Sequence, residues 1–262
     1  MVSILYADFT SPQCYLASRR VDVLAAVGTE VDWRAVEVDR PLPVTGRPID
    51  PAARAAIEAQ LSALAGLLLP GEPLPWTLPR VICRTEAALS GYAEGYGAGV
   101  GADLRRVLYT AYWLHGLDIG NPEVLRKLLA GPILRGRSAS QPLRENGYAV
   151  SVSGAPITTD AWRRIRRWRE AWVQLDADAL PVLQIDGEPP YSGEAALRRL
   201  EKELVAAGAD PNPDLPDPAR YPSSHVRPSI DWVSRVGGSW AYAWMPSPLS
   251  PRSEHRDAAR YG

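Results

Sequence analysis

Near the start of the chain, the spacing of apolar and polar residues predicts three successive elements. Residues 2–6, Val-Ser-Ile-Leu-Tyr, form an unbroken β-branched and aromatic run that predicts a short buried strand. Residues 15–24 predict a helix, and residues 29–38 alternate apolar and polar positions as a half-buried strand does. Strand, helix and strand in this order predict a βαβ unit with a right-handed crossover.

The turn between the first strand and the helix reads Asp-Phe-Thr-Ser-Pro-Gln-Cys over residues 8–14. Thr10 or Ser11 is a natural N-cap, and Pro12 falls in the first helical turn, where its missing N–H costs nothing. A helix N-terminus carries partial positive charge and favours an anion, including a thiolate. We therefore expect the N–H groups of this helix to face whatever lies above Ser11.

The pattern becomes helical from residue 51 to about residue 143. Asp50 and Pro51 predict the cap and the first residue of one helix, and Asn121-Pro122-Glu123 predicts the start of another. Between them, helices are predicted through residues 85–93 and over residues 102–115. Four glycines between these two helices predict a flexible link: Gly95, Gly97, Gly99 and Gly101.

Helix and strand signals alternate again after residue 158. Thr159 or Asp160 is predicted to cap a helix that runs through Leu175. Residues 180–187 predict a strand that begins at a proline and ends in an Asp-Gly turn, and residues 194–206 predict a last helix. The buried stripe of the first of these helices is predicted to comprise Trp162, Ile165, Trp168 or Arg169, and Trp172.

The C-terminal segment, residues 207–262, combines many prolines with tryptophan and tyrosine. The prolines make independent regular structure improbable, while the aromatic content is too high for a free tail. We expect an extended arm packed on the body or on a second subunit, which makes a homodimer through the arm an expectation. A disordered polar end is expected from about Ser250.

The composition excludes several functional classes. A net charge of −1, with 46% hydrophobic and 23% charged residues, favours a globular protein with no general attraction to nucleic acid or membrane. The arginines of residues 163–169 are expected to form a solvated helix face. No apolar run has the length of a membrane span, and no secretory signal is expected.

Cysteine and histidine usage bears on compartment and metal binding. Two cysteines, Cys14 and Cys83, are too few for a disulfide framework or a Cys-rich zinc site, so a reducing, cytoplasmic setting is expected. The three histidines, which have no ligand spacing, give no reason to expect a metal: His115, His225 and His255.

The motif Ser11-Pro12-Gln13-Cys14, followed by Tyr15, resembles the DsbA-type branch of the thioredoxin-fold family. That branch carries Cys-x-x-Cys and an aromatic residue at this turn, so serine here replaces the first cysteine. A Ser-Pro-x-Ser form is similar to the 2-hydroxychromene-2-carboxylate isomerase and kappa-class glutathione transferase relatives. The resemblance to these relatives implies that the serine hydroxyl holds the sulfur of a bound thiol cofactor.

The resemblance extends to later segments of the chain. Ala111-Tyr112-Trp113, Leu117-Asp118-Ile119 and Pro122-Glu123-Val124-Leu125 follow the order of motifs in the family's inserted helical domain. The family's cis-proline loop would correspond to Leu180 and Pro181, placed opposite Ser11. The implied fold is α/β and thioredoxin-like over residues 1–46 and 150–206, with a helical domain inserted over residues 47–149.

The resemblance implies a set of site residues and a class of reaction. Ser11 and Cys14 are the catalytic candidates, and Cys83 is a candidate redox partner. The residues expected to bind substrate or cofactor are Pro12, Gln13, Arg84, Thr85, Leu180 and Pro181. Arg84 stands where relatives usually carry asparagine, so it is also a candidate to pair with an anionic group.

Three hypotheses about function remain open at this stage. One is a thiol-dependent oxidoreductase or isomerase that uses glutathione or mycothiol on a small-molecule substrate and is not a dithiol oxidase. The second is a redox protein whose Cys14 is accessible and has a depressed pKa. The third is a non-catalytic binding protein whose pocket is covered by the C-terminal arm. In addition, Ser11 alone reads as a plain N-cap, and Cys14 alone reads as a small buried hydrophobic residue.

Overall fold

The computed structural model describes residues 3–38, 42–72, 77–136 and 148–211. The predicted arm therefore lies outside the described residues from residue 212 onward. The homodimer through that arm, and a pocket covered by it, stay predictions.

The described chain alternates strands and helices in an α/β arrangement. The strands are β1 (Ser3–Ala7), β2 (Asp32–Ala35), β3 (Arg47–Pro48), β4 (Val81–Ile82), β5 (Val182–Ile185) and β6 (Tyr191–Ser192). The α-helices are α1 (Pro12–Ala26), α2 (Pro51–Ala65), α3 (Glu86–Gly97), α4 (Gly101–Tyr109), α5 (Pro122–Arg135), α6 (Thr159–Val173) and α7 (Gly193–Ala206). A π-helical segment, Thr110–Leu114, follows α4 directly.

The main sheet has the strand order β2-β1-β5-β6. The β1 strand pairs in parallel with β2, with Leu5 opposite Trp33, and antiparallel with β5, with Leu5 opposite Leu183. The predicted βαβ unit is therefore confirmed, because α1 connects two parallel neighbours. The last strand, β6, pairs antiparallel with β5 and leads at once into α7. A separate two-stranded sheet, β3 with β4, was not predicted from the sequence.

Short polar side chains begin several helices as their local sequence predicts. Ser11 caps α1 by accepting a hydrogen bond from the Cys14 N–H at 3.3 Å. Asp50 caps α2 through the Ala53 N–H at 2.7 Å, and Asn121 accepts from the second residue of α5 at 2.9 Å. A proline occupies the start of each of these three helices, where it loses no intrahelical hydrogen bond.

The prediction for the start and buried face of α6 was partly wrong. Its N-cap is Thr158, one residue before the predicted Thr159 or Asp160, and its hydroxyl accepts from the Ala161 N–H at 3.2 Å. Trp168 is buried as predicted, but Trp162 is 51% exposed. The buried line of α6 runs through Ala161 and Trp168, whose separation of seven residues is two helical turns.

The arginines of α6 mostly face solvent, as predicted for Arg163, Arg166 and Arg167. Arg164 differs, because its guanidinium donates to the Ala93 carbonyl at 2.7 Å and lies over the ring of Tyr96. One arginine of the group thus fastens α6 to α3.

Two predictions about the central helices need correction. The helix expected over residues 102–115 becomes π-helical at Thr110, which changes the direction of its last side chains. The glycines expected to form a flexible link lie partly inside helices, since Gly95 and Gly97 belong to α3 and Gly101 begins α4. A Cβ at Gly95 would overlap the Leu104 side chain, so this glycine permits close packing of α3 on α4.

One hydrophobic core joins the sheet to the helices between β4 and α6. It contains Leu5, Leu16 and Leu183 from around the sheet, together with Leu104 and Leu108 of α4. The division into residues 1–46 with 150–206 and residues 47–149 stays a prediction. No helix within the described ranges combines the length and apolarity needed to cross a membrane.

Candidate active site

The predicted site centres on Ser11, which lies between the end of β1 and the start of α1. Ser11 is half-buried, has extended backbone (φ −87°, ψ 125°) and accepts a hydrogen bond from the Cys14 N–H through its hydroxyl oxygen. An accepting hydroxyl keeps its own proton to donate. No acidic side chain lies in the first turn of α1. The arrangement offers a hydroxyl donor at a helix N-terminus, where an anionic sulfur is stabilised.

Cys14 lies one turn further along α1 and is fully buried, at 0% exposure. Burial raises the pKa of its thiol to about 12, although contacts with the Ser11 hydroxyl and the Asp8 backbone lower it in part. The thiol is therefore protonated near neutral pH. This is the opposite of the accessible, low-pKa thiol that a redox role for Cys14 requires.

Cys83, the candidate redox partner, is also buried, at 2% exposure, and both cysteines are free. Burial raises the pKa of the Cys83 thiol, and the negative charges of Asp118 and Asp8 add to the effect. Neither thiol is accessible or prone to ionise.

Asp8, a residue that was not singled out from the sequence, links three segments at this turn. Its carboxylate accepts from the Thr10 N–H at 2.8 Å and the Thr10 hydroxyl at 2.7 Å. It also accepts from the Val38 N–H at 3.2 Å and the Thr85 hydroxyl at 3.0 Å. Burial raises the pKa of Asp8, and these four donors oppose that rise. These contacts of Asp8 could not be predicted from local sequence, because Val38 and Thr85 are 30 and 77 residues away.

Aromatic side chains from α4 and the π-helical segment hold the backbone of the same turn. The Tyr109 hydroxyl donates to the Asp8 carbonyl at 3.0 Å, and the Trp113 indole N–H donates to the Phe9 carbonyl at 3.1 Å. The rings of Phe9 and Tyr109 also pack together, with centroids 5.2 Å apart. The turn before Ser11 is thus supported from the helical part of the chain.

The loop containing Leu180 and Pro181 is connected to Gln13 of the motif through Gly193. The Leu180–Pro181 peptide bond is cis, and the Pro181 carbonyl accepts from the Gly193 N–H at 2.8 Å. A Cβ placed on Gly193 would lie 3.9 Å from the side-chain oxygen of Gln13. Gln13 therefore lies beside the start of α7, next to the residue that holds the proline loop.

The N-terminus of α7 has no side-chain cap. Ser192 occupies the cap position, but its hydroxyl donates to the Asp178 carboxylate at 2.8 Å. The first N–H groups of α7 are therefore not satisfied by the cap residue. Two helix N-termini, those of α1 and α7, meet around Gln13.

Arg84 and Thr85, both predicted to bind cofactor or substrate, have partners within the protein. The Arg84 guanidinium pairs with Glu37 at 3.3 Å and with Glu86 at 2.6 Å, so the anionic groups that it pairs with are the protein's own. Thr85 is 3% exposed and donates its hydroxyl to Asp8. The Thr85 side chain is therefore enclosed by protein, whereas the Arg84 side chain keeps 26% of its surface exposed, and its role in binding stays a prediction.

No cluster of metal-ligating side chains occurs in the part of the chain that the structure describes. The chemistry available at the site is that of a hydroxyl, backbone N–H groups at two helix starts, an amide side chain and a proline loop.

Comparison with known proteins identifies a domain in the first half of the chain. Residues 4–131 match the DSBA-like thioredoxin domain. No match was found among curated proteins.

Solved structures share the fold at low sequence identity. A probable DsbA oxidoreductase from Streptomyces coelicolor is 19% identical, with a TM-score of 0.56 over 79% of this chain and 90% of that chain. A 2-hydroxychromene-2-carboxylate isomerase is 20% identical, with a TM-score of 0.53 over 79% of this chain and 95% of that chain. A cytosolic disulfide reductase, DsbM from Pseudomonas aeruginosa with GSH, is 18% identical, with a TM-score of 0.45 over 78% of this chain and 100% of that chain.

The first two similarities establish the fold, and the family match identifies the domain formed by residues 4–131. The α/β fold and the match over residues 4–131 together show that this chain contains a DSBA-like thioredoxin domain.

Proposed function

We propose that the protein binds a low-molecular-weight thiol with its sulfur at Ser11 and uses it as an isomerase-type enzyme on a small molecule. The observation that carries this proposal is the contrast between a half-buried Ser11 hydroxyl at the N-terminus of α1 and a fully buried Cys14. Dithiol oxidation needs an attacking thiolate at that N-terminus, and serine cannot supply one.

The residues around Ser11 fit a bound thiol. The Ser11 hydroxyl and the start of α1 would lower the pKa of the thiol by hydrogen bonding and by favourable charge. Such a cofactor would supply a nucleophilic sulfur for reversible addition to an electrophilic substrate, a reaction without net oxidation. Gln13 and the Pro181 loop would fix its backbone groups.

The start of α7 favours glutathione over mycothiol as the cofactor. The Gly193 N–H donates to the Pro181 carbonyl, but the N–H groups that follow it have no side-chain cap, and such helix N-termini bind carboxylates. Glutathione carries two carboxylates and mycothiol carries none. A carboxylate at α7 would leave the cysteine of glutathione free to reach toward Ser11 past Gln13.

Calorimetric titration with glutathione, and separately with mycothiol, tests this proposal. We expect wild-type protein to bind glutathione, and Ser11→Ala to weaken binding by about tenfold, since a hydrogen bond to a charged group is lost. Cys14→Ala should stay within about twofold of wild type, because the buried thiol does not contact the ligand.

Two outcomes would contradict the proposal. The first is that wild-type protein binds neither glutathione nor mycothiol. The second is that Cys14→Ala loses binding while Ser11→Ala binds as tightly as wild type. Catalytic oxidation of a dithiol substrate by wild-type protein would instead support a redox function. A cytoplasmic location stays a prediction.

A further inference from the structure

The Asp8 carboxylate is an acceptor shared by three segments that are distant in sequence. One oxygen accepts from the Thr10 N–H and hydroxyl in its own turn. The other accepts from the Val38 N–H, just after β2, and from the Thr85 hydroxyl, just before α3. Asp8 is 4% exposed, so this carboxylate is reached by protein groups rather than by ligand.

Thr85 contacts Asp8 through its hydroxyl and does not cap its own helix. It occupies the N-cap position of α3, where a threonine hydroxyl ordinarily accepts a hydrogen bond from the first helical turn. The Thr85 hydroxyl accepts no such bond, and its proton is donated to the Asp8 carboxylate. The partial positive charge at the start of α3 also favours a carboxylate there. The start of α3 is thus held against Asp8.

The backbone of Asp8 connects the same residue to Ser11. Its carbonyl accepts from the Ser11 N–H at 3.4 Å and from the Tyr109 hydroxyl at 3.0 Å. The carboxylate and the carbonyl together determine where the turn ends and where α1 begins. A displacement of Asp8 would therefore move Ser11.

An ion pair also joins the two segments that carry Val38 and Thr85. Glu37 precedes Val38 and Arg84 precedes Thr85, and their side chains pair at 3.3 Å. The two distant donors to Asp8 are therefore each adjacent in sequence to a member of this pair. The segment after β2 and the start of α3 therefore contact Asp8 while they are also paired with each other.

We infer that Asp8 is a positioning residue for Ser11, and that Thr85 transmits the position of α3 to the thiol-binding turn. This inference rests on the proposed function, because it assigns Ser11 a ligand to hold. Loss of the Thr85 hydroxyl releases the turn, uncovers Cys14 behind it and misplaces the Ser11 hydroxyl.

The test compares three variants of the full chain. Thr85→Val removes the hydroxyl at nearly constant volume, and Thr85→Ser keeps it. Ser90→Ala is the matched control, because Ser90 is a buried α3 residue whose hydroxyl donates to the Glu86 carbonyl away from Asp8. The first measurement is the alkylation rate of Cys14 in native protein, followed by mass spectrometry at increasing urea concentrations.

We expect Thr85→Val to raise the Cys14 alkylation rate by about tenfold in the absence of urea, as the loss of one hydrogen bond to a charged group predicts. The increase should depend little on urea, because a local opening exposes little surface. Thr85→Ser should restore the wild-type rate, and Ser90→Ala should leave it unchanged. A Thr85→Val effect that appears only along the global unfolding transition would overturn the inference.

The second measurement is glutathione binding by the same variants. We expect Thr85→Val to weaken binding by about tenfold, and Thr85→Ser to restore it. If wild-type protein binds no glutathione, the proposed function fails, whereas the Cys14 measurement still decides whether Asp8 and Thr85 position the turn.

Hydrogen exchange in wild-type protein decides the matter if Thr85→Val does not fold. The amides of Ser11 and Val38 should open together with one free energy, since both depend on Asp8. Independent opening of the two amides would overturn the inference.

Discussion

Ser11 and Cys14 are three residues apart, and their environments differ because α1 enters the core immediately after its cap. The cap residue stays at the protein surface, whereas one helical turn carries Cys14 under the turn formed by residues 8–11. The hydroxyl at the first position therefore keeps some exposed surface, whereas the thiol at the second position is enclosed by protein.

The pH dependence of Cys14 alkylation follows from this burial. Its thiol pKa of about 12, against an ordinary 9.0, makes thiolate about 1,000-fold scarcer than for a free cysteine near neutral pH. We expect native Cys14 to react at least that much more slowly than in unfolded protein at pH 8, with the rate rising tenfold per pH unit up to about pH 11. Rapid labelling with an apparent pKa below 9 would show that the thiol is accessible and activated.

At the scale of secondary structure, the elements that could be predicted were those with local signals. Asp50 is confirmed as a cap, and of the two candidates Thr10 and Ser11 the cap is Ser11. The helix start predicted at residues 121–123 is also confirmed, and each of these three helices begins with a proline. The cap of α6 was misplaced because Thr158 and Thr159 are equivalent in sequence. Glu94 distinguishes them, since its carboxylate accepts from the Thr158 N–H and hydroxyl, each at 2.7 Å. The two residues are 64 positions apart in sequence, so no local pattern predicts their contact.

Two glycine substitutions should have opposite effects, because an added Cβ meets different surroundings at Gly95 and Gly66. A Cβ at Gly95 would overlap Leu104, so Gly95→Ala should lower the free energy of unfolding by about 1–3 kcal/mol. Gly66 ends α2 with φ −72°, and a Cβ there would meet its nearest atom at 3.5 Å. Gly66→Ala should stabilise the protein by about 0.4–1 kcal/mol, because it restricts the unfolded chain.

Urea unfolding of both glycine variants checks these values. If Gly95 belonged to a flexible link, as the alternating glycines suggested, Gly95→Ala would be neutral or stabilising. That result would contradict the packing described for α3 and α4.

At the scale of the whole molecule, buried polar contacts fix which elements meet, and these contacts escape sequence analysis. The order of elements follows from hydrophobic periodicity, which reports the buried face of each element. Periodicity does not reveal which distant carboxylate a buried arginine or threonine will contact. Asp8 with Thr85 is one such pair, and Arg20 with Glu72 is another. For the candidate site, the motif predicted Ser11 and the Pro181 loop, and geometry added Asp8.

The pair Arg20 and Glu72 gives the strongest prediction at this scale. Arg20 of α1 donates two hydrogen bonds to the Glu72 carboxylate, both at 2.8 Å. It also donates to the carbonyls of Leu67, after α2, and Leu197, in α7. The two charged side chains are only 1% and 2% exposed. One guanidinium thus joins α1, the segment after α2 and α7, and the starts of α1 and α7 lie at the candidate site.

Glu72→Gln should lower the free energy of unfolding by about 3–5 kcal/mol, because it leaves the Arg20 charge buried without its counterion. Glu170→Gln is the matched control, since Glu170 pairs with Arg166 at 2.7 Å on an exposed face and should cost about 0.5 kcal/mol or less. Both losses are measured by urea unfolding at pH 7. Equal, small losses would mean that the Arg20 contact does not hold the three segments together. A large loss confined to Glu72→Gln would show that the buried Arg20–Glu72 pair stabilises the packing of α1, the helix that begins after Ser11, against its neighbours.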